Sequence, residues 1–250
     1  MLKPGLASMT FRGKTPAELI AFVKSAGLSA IEWAGDSHVP AGDVKTARLV
    51  RDMTESAGLE CSSYGSYYRL GTGAEFEPVL ESALALGVRD IRIWAGGKGS
   101  LETDEKLREE LVSEAKKAAE LAKAEGVRLS TECHPNTLTD RLESHLKFLD
   151  EVGEPNLLTY WQAIPHLEGG RYKEHLEAVL KTGKLTNIHV HSYDERVNIL
   201  LLGEGIINWE ECLGVVKNLD EDRYVLIEGA SGGKDESFVH DAKKLLELIK

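Results

Sequence analysis

The feature that most constrains this chain is a change of hydrophobic period that recurs eight times. A short β-rich run gives way to a longer amphipathic helical run, and a glycine commonly ends the helix. The pattern predicts strands over residues 5–11, 28–33, 59–64, 90–94, 127–132, 156–161, 185–191 and 223–228. The first helix opens at Thr15-Pro16-Ala17-Glu18, where a capping hydroxyl, a proline at the first helical position and an early carboxylate coincide. Later helices are predicted over 43–57, 76–86, 103–125, 138–152, 172–181, 209–219 and 236–249. Gly27, Gly58, Gly87, Gly126, Gly153 and Gly183 mark the ends of the first six.

Eight strand–helix units in 250 residues is about 31 residues per unit, near the minimum of about 30 for a βαβ unit. Helix after strand, repeated, demands parallel strands joined by right-handed crossovers. Eight units favour closure into a (β/α)8 TIM barrel, read as a single domain over residues 1–250. The rival is an open doubly wound sheet, whose glycine-rich fingerprint should follow the first strand. Thr10-Phe11-Arg12-Gly13-Lys14 does not supply it, and Gly96-Gly97-Lys98-Gly99 lacks the spacing of a phosphate loop.

A formal net charge of -11 argues against non-specific binding to nucleic acid or anionic membranes. The 42% hydrophobic and 28% charged residues are those of an ordinary globular chain, and no apolar run is long enough to span a bilayer. Cys61, Cys133 and Cys212 are odd in number and widely spaced, which suggests no disulfide framework and fits a reducing, cytoplasmic setting.

In such a barrel, chemistry collects where strands run into the following loops. Strand five ends in Ser130-Thr131-Glu132-Cys133-His134, strand six in Tyr160-Trp161-Gln162, strand seven in His189-Val190-His191, and strand eight in Ile227-Glu228-Gly229. An ionised glutamate closing an apolar strand is costly unless paired or coordinated. Two glutamates and an imidazole at one mouth suit a divalent cation, Mn²⁺, Mg²⁺, Co²⁺ or Zn²⁺. His189 and His191 share one side of their strand, and His191, nearer the rim, is the ligand candidate; His189 is assigned a core or supporting role. Trp33, Tyr64, Trp94 and Trp161 fall at strand ends, where an aromatic face could stack on a sugar. His38, His134, His166 and Arg196 could contact its oxygens, Glu32 could orient a neighbouring group, and Lys98 could contact an anion.

At these residues the sequence resembles the xylose isomerase-like TIM barrels, the sugar phosphate isomerase/epimerase superfamily that also includes inosose dehydratases and endonucleases of the type IV kind. The matching segments are Ile31-Glu32-Trp33 with Gly35-Asp36-Ser37-His38, Ser130 to Pro135, Ile188 to His191, Gly203-Glu204-Gly205 before Trp209, and Leu226-Ile227-Glu228. The resemblance implies a metal held by Glu, Asp, His and Glu, with Glu132, His191 and Glu228 in three places. Gln162 stands where Asp is usual. A neutral amide donates one oxygen and no charge, so metal affinity should fall. The resemblance further implies an isomerase or epimerase that works through an enediolate, with Glu132 and Glu228 as the acid–base pair and a small carbohydrate as substrate. A lyase or dehydratase acting on a keto-sugar or inosose is the alternative; a sugar-binding barrel with a degenerate site is another. The acidic chain has too few ligands for the endonuclease chemistry. Relatives of this kind often form homodimers or homotetramers.

Overall fold

The predicted alternation resolves into eight parallel strands that close on themselves. The computed structural model describes residues 1–165, 170–217 and 219–250. Its strands are β1 (Leu2–Ala7), β2 (Ala30–Ala34), β3 (Glu60–Arg69), β4 (Asp90–Trp94), β5 (Arg128–Glu132), β6 (Leu157–Trp161), β7 (Leu185–Val190), β8 (Ser192–Tyr193), β9 (Ile199–Leu200) and β10 (Arg223–Ile227). The barrel order is β1-β10-β7-β6-β5-β4-β3-β2, so β10 pairs with β1 and closes the ring. β8 and β9 form a small antiparallel hairpin beyond β7 that the periodicity did not announce.

The helices α1 (Pro16–Ser25), α2 (Val44–Ser56), α3 (Glu77–Leu86), α4 (Glu105–Ala124), α5 (Leu142–Val152), α6 (Tyr172–Lys181), α7 (Trp209–Val216) and α8 (Asp235–Leu248) alternate with the barrel strands. α1 begins as the sequence suggests, with a reciprocal capping box between Thr15 and Glu18. α5 begins four residues later than the expected 138. There, Thr137 and Thr139 donate their hydroxyls to the carbonyls of His134 and Glu132, which keeps that segment tied to the end of β5 instead of in a helix. β1 ends at Ala7, because Ser8–Phe11 turns into a short 3-10 helix. Among the described residues no helix is long and apolar enough to cross a membrane.

Large apolar side chains such as Leu19, Val23, Phe148, Leu176 and Phe238 are fully shielded in the layer between helices and strands. The inside of the barrel is different. Hydrogen bonds join strands that are not neighbours in the ring, Ser130 of β5 to Thr186 of β7 and Arg92 of β4 to Glu32 of β2, so these side chains meet across the axis. The layers usually filled by branched aliphatics here hold carboxylates, hydroxyls, a guanidinium and an imidazole.

Two register irregularities bring them there. Opposite β2, the pairing steps from Ile31–Cys61 to Glu32–Ser63, so Ser62 is an extra residue in β3. Opposite β6, the pairing steps from Thr159–Leu185 to Trp161–Ile188, which inserts a residue in β7. A bulge resets the alternation of faces. Thr186 and His189, three apart, can therefore both reach the interior, and so can Ser62 and Ser63, whose hydroxyls lie 3.2 Å apart.

Candidate active site

The floor of the barrel mouth is a buried ionic cluster. Arg92 extends along the axis, donating from Nε to Glu32 Oε1 at 3.1 Å and from Nη1 to Glu132 Oε2 at 2.6 Å. All three side chains are almost fully shielded. Room for the guanidinium depends on Gly65: a Cβ there would sit 2.9 Å from Arg92 Nη2 and 2.9 Å from Glu32 Oε1. His189 completes the floor. Its Nδ1 lies 2.8 Å from Glu132 Oε1 and 3.3 Å from Glu228 Oε2, and its Nε2 lies 3.4 Å from Glu32 Oε1.

Burial alone would drive His189 toward neutrality, but Glu228, Glu32 and Glu132 outweigh it and raise its pKa well above the usual value. Burial likewise opposes ionisation of Glu32, yet Arg92 and His189 bring its carboxyl down to about 2. Glu228 is held lower still, again against burial, chiefly by His189. Three carboxylates thus face one guanidinium and one imidazolium, leaving one negative charge uncompensated. If the imidazole gave up its proton, two would be left over.

Above the floor opens a cavity of about 440 Å³. Glu132, Gln162, His191 and Glu228 all line it, so the four residues predicted as a ligand set do converge. Gln162 commits its amide nitrogen to the Cys133 carbonyl at 3.0 Å, which leaves Oε1 as the atom available to a cation. His191 has Nε2 3.2 Å from the Ala163 carbonyl, so Nε2 carries the proton and Nδ1 keeps a lone pair. Burial lowers its pKa despite the nearby Glu228, and the ring is neutral. Among the described residues, Glu132, His189 and Glu228 form a group that could hold a metal, with their candidate ligand atoms all within 4.8 Å of one another. The preference for His191 over His189 is therefore modified. His189 touches both glutamates, while His191 is the one of the two that faces the cavity. The donor set, its surplus negative charge and the carbonyl-type oxygen of Gln162 fit a divalent cation.

Of the predicted substrate contacts, Trp94 and His134 line the cavity, the imidazole packed edge-on to the indole with centroids 4.3 Å apart. His134 Nδ1 donates to the Pro135 carbonyl at 2.7 Å, so its Nε2 is an acceptor. Glu32 lies beneath the floor as the partner of Arg92. Four expected contacts lie elsewhere. Tyr64 is fully buried in the wall, its hydroxyl donating to Val39 O at 2.7 Å, because the bulge at Ser62 turns it outward. Trp161 is buried, with Nε1 donating to His175 at 2.7 Å. His38 is buried between Ser8 and the Lys14 carbonyl. Arg196 is exposed on the hairpin and is not among the cavity's lining residues. His166 lies outside the described residues.

Sequence reasoning missed Arg92, Arg12, Tyr67 and Tyr193. Arg92 had a signal, since an arginine inside the apolar run Asp90-Ile91-Arg92-Ile93-Trp94 requires a buried partner. Tyr67 had none. It lines the cavity with a left-handed backbone, φ 60°, which a bulky residue seldom adopts.

The chain is 26% identical, over 98% of its length and 94% of the relative's, to a 3-dehydroshikimate dehydratase of Bacillus anthracis. The crystal structure of the probable 3-DHS dehydratase AsbF from Bacillus anthracis superposes with a TM-score of 0.83 at 22% identity, covering 98% of this chain and 99% of that one. D-psicose 3-epimerase from Clostridium cellulolyticum H10 superposes with a TM-score of 0.77 at 16% identity, covering 99% and 98%. Residues 20–249 match the xylose isomerase-like TIM barrel family, and the chain belongs to that family.

Proposed function

We propose that this chain is a divalent-metal-dependent lyase that removes water from a hydroxylated cyclic ketone, with 3-dehydroshikimate as the candidate substrate. The observation that carries this reading over an epimerase is the state of Glu132. Both of its oxygens are already taken, Oε2 by Arg92 and Oε1 by His189. An epimerase of the expected kind needs two glutamates that each give and take a proton across the substrate. A carboxylate whose two oxygens are both engaged by cationic donors suits charge stabilisation and ligation better than carrying a proton to and from a substrate. The full-length likeness to a 3-dehydroshikimate dehydratase supports the same choice.

In this reading, Glu132, Gln162, His191 and Glu228 would hold the cation, and a bound divalent ion would supply Lewis acidity to the substrate's carbonyl. His134 presents Nε2 to the cavity with its tautomer fixed by the Pro135 carbonyl, and acts as the base for a carbon-bound proton. Glu228 meets His189 at 3.3 Å, is partly accessible and lines the cavity, where its carboxylate accepts a hydrogen bond from the departing hydroxyl while the His134 ring returns to that hydroxyl the proton it took from carbon, so that water leaves. Tyr67, Trp94 and Tyr193 wall the cavity and match a flat product, since loss of one water from 3-dehydroshikimate leaves aromatic 3,4-dihydroxybenzoate.

The test is to incubate Mn²⁺-supplemented protein with 3-dehydroshikimate, then separately with D-psicose, and to follow aromatic absorbance and sugar composition. Formation of 3,4-dihydroxybenzoate, abolished by chelation and by His134→Ala, is expected. Epimerised sugar without dehydration would overturn the lyase reading in favour of the epimerase.

A further inference from the structure

The cavity has one cationic corner that the chemistry above leaves unused. Among the described residues lining it, Arg12 is the only lysine or arginine. It is fixed from three directions. Nε donates to Asp36 Oδ2 at 2.9 Å, Nη1 to the Met9 carbonyl at 3.1 Å, and Nη2 to the Tyr67 hydroxyl at 2.6 Å. Its guanidinium also lies 5.6 Å from the centroid of the Tyr67 ring. A guanidinium has five N–H donors in a rigid fork. The three bonds leave one N–H on each Nη, the pair that can grip a carboxylate with two parallel bonds.

The rest of the cavity dictates which part of a substrate could come here. Glu132 and Glu228 stand at the reacting end, which the ketone and hydroxyl must occupy, so an acid group elsewhere on the ring is left to the one cationic side chain of the described lining. Asp36 occupies only the Nε edge of Arg12 and orients the fork without covering it. Tyr67, which supports Nη2, is itself held in the strained backbone noted above.

We propose that Arg12 is a specificity-determining residue that receives a carboxylate of the substrate, so that the site selects a cyclic hydroxy-ketone bearing an acid group over a neutral sugar. This rests on the dehydratase reading of the site. The acid group docks at the Arg12 corner, the ring lies against Tyr67 and Trp94, and the ketone and hydroxyl are delivered to Glu228, His134 and the floor.

The decisive measurement compares two probes by titration calorimetry on Mn²⁺-supplemented protein: 3,4-dihydroxybenzoate, and catechol, which has the same diol without the carboxylate. The wild type should bind the acid at least about tenfold more tightly, the ratio expected of a charge-assisted pair. Arg12→Met should remove that preference, weakening the acid far more than catechol, and Arg12→Lys should keep part of it. In turnover, Arg12→Met should raise the KM for 3-dehydroshikimate by about ten- to a hundredfold, with kcat within about threefold. Arg12 stands exposed at the rim, so neither variant removes a core contact. Equal binding of the two probes by the wild type, or an acid preference that survives in Arg12→Met, overturns the assignment. A wild type that dehydrates nothing sinks the reaction reading; the probe comparison still decides whether Arg12 is an acid-binding residue.

Discussion

Arg92 Nη1 donates to Glu132 Oε2 over 2.6 Å, in a place where both side chains are about 1–2% exposed. The same guanidinium carries Glu32 on its Nε. Removing one member of a buried ion pair costs more than the pair contributes, because its partner is stranded. Arg92→Met strands two carboxylates and should destabilise the fold by about 3–5 kcal/mol in urea unfolding. Arg92→Lys keeps the charge but cannot span both partners, and should fall between. An Arg92→Met protein as stable as the wild type would show that the cluster is not a structural unit.

Metal content separates the two histidines. His191 faces the cavity with a free Nδ1, whereas His189 bridges the carboxylates beneath it. After dialysis against limiting Mn²⁺, elemental analysis should find a stoichiometric ion in the wild type and little in Glu228→Gln or His191→Ala. His189→Gln should weaken binding by about ten- to a hundredfold without abolishing it, as expected of a residue that orients ligands. Full retention of metal by His191→Ala would move the ligand assignment to His189.

Gln162 offers a complementary gain. Gln162→Asp would add a negative charge to the ligand set and tighten Mn²⁺ binding, read by calorimetry as a lower Kd. Unchanged affinity would mean that this side chain does not reach the ion.

Asp90 gives the stability a pH dependence of predictable sign. Burial raises its carboxyl to about 6, more than Arg128 and Ser130 can offset, and Arg128 Nη2 stands 3.1 Å from Oδ2 without making a proper hydrogen bond. A folded-state pKa above the unfolded value favours the fold at low pH, and that advantage disappears as pH rises through 6. Asp90→Asn should therefore gain on the wild type between pH 4 and 7, by up to about 3 kcal/mol. A difference that does not change with pH would refute the assignment.

His145 works the other way. It is buried behind β5, with Nδ1 3.2 Å from Cys133 Sγ and Nε2 2.9 Å from Thr159 Oγ1, and burial lowers its pKa to about 3. Its contribution is complete above the unfolded value near 6.5 and is lost as pH falls toward 3. In acid titrations followed by circular dichroism, His145→Gln should lose stability less steeply than the wild type over that range.

The barrel was legible because period, helix caps and glycines all repeat at one spacing. β4 and α6 fall where the pattern put them. Convergence of Glu132, Gln162, His191 and Glu228 followed from a single rule about strand ends. The misplacements have specific causes. Tyr64 was expected at the mouth because it closes the predicted strand, and the extra Ser62 turns its side chain to the outer face. Tyr67 stayed hidden because the same strand runs five residues past its predicted end, with a left-handed residue that no pattern of apolar positions encodes. Trp161 closes its strand as expected, but faces the helices, where His175 takes its indole hydrogen.

The extra residue at Ser62 behaves like a frameshift in a message read two letters at a time. Ser63, Tyr64 and Gly65 occupy the phase they have only because one more residue was inserted upstream. Gly65, which must be bare to admit the guanidinium, and Tyr64, which must stay in the wall, would exchange faces if that residue were deleted. Counting residues from one family member to another across this strand is safe only if the insertion is counted too. A change of chain length by one, with every side chain conserved, would be enough to dismantle the floor of the site.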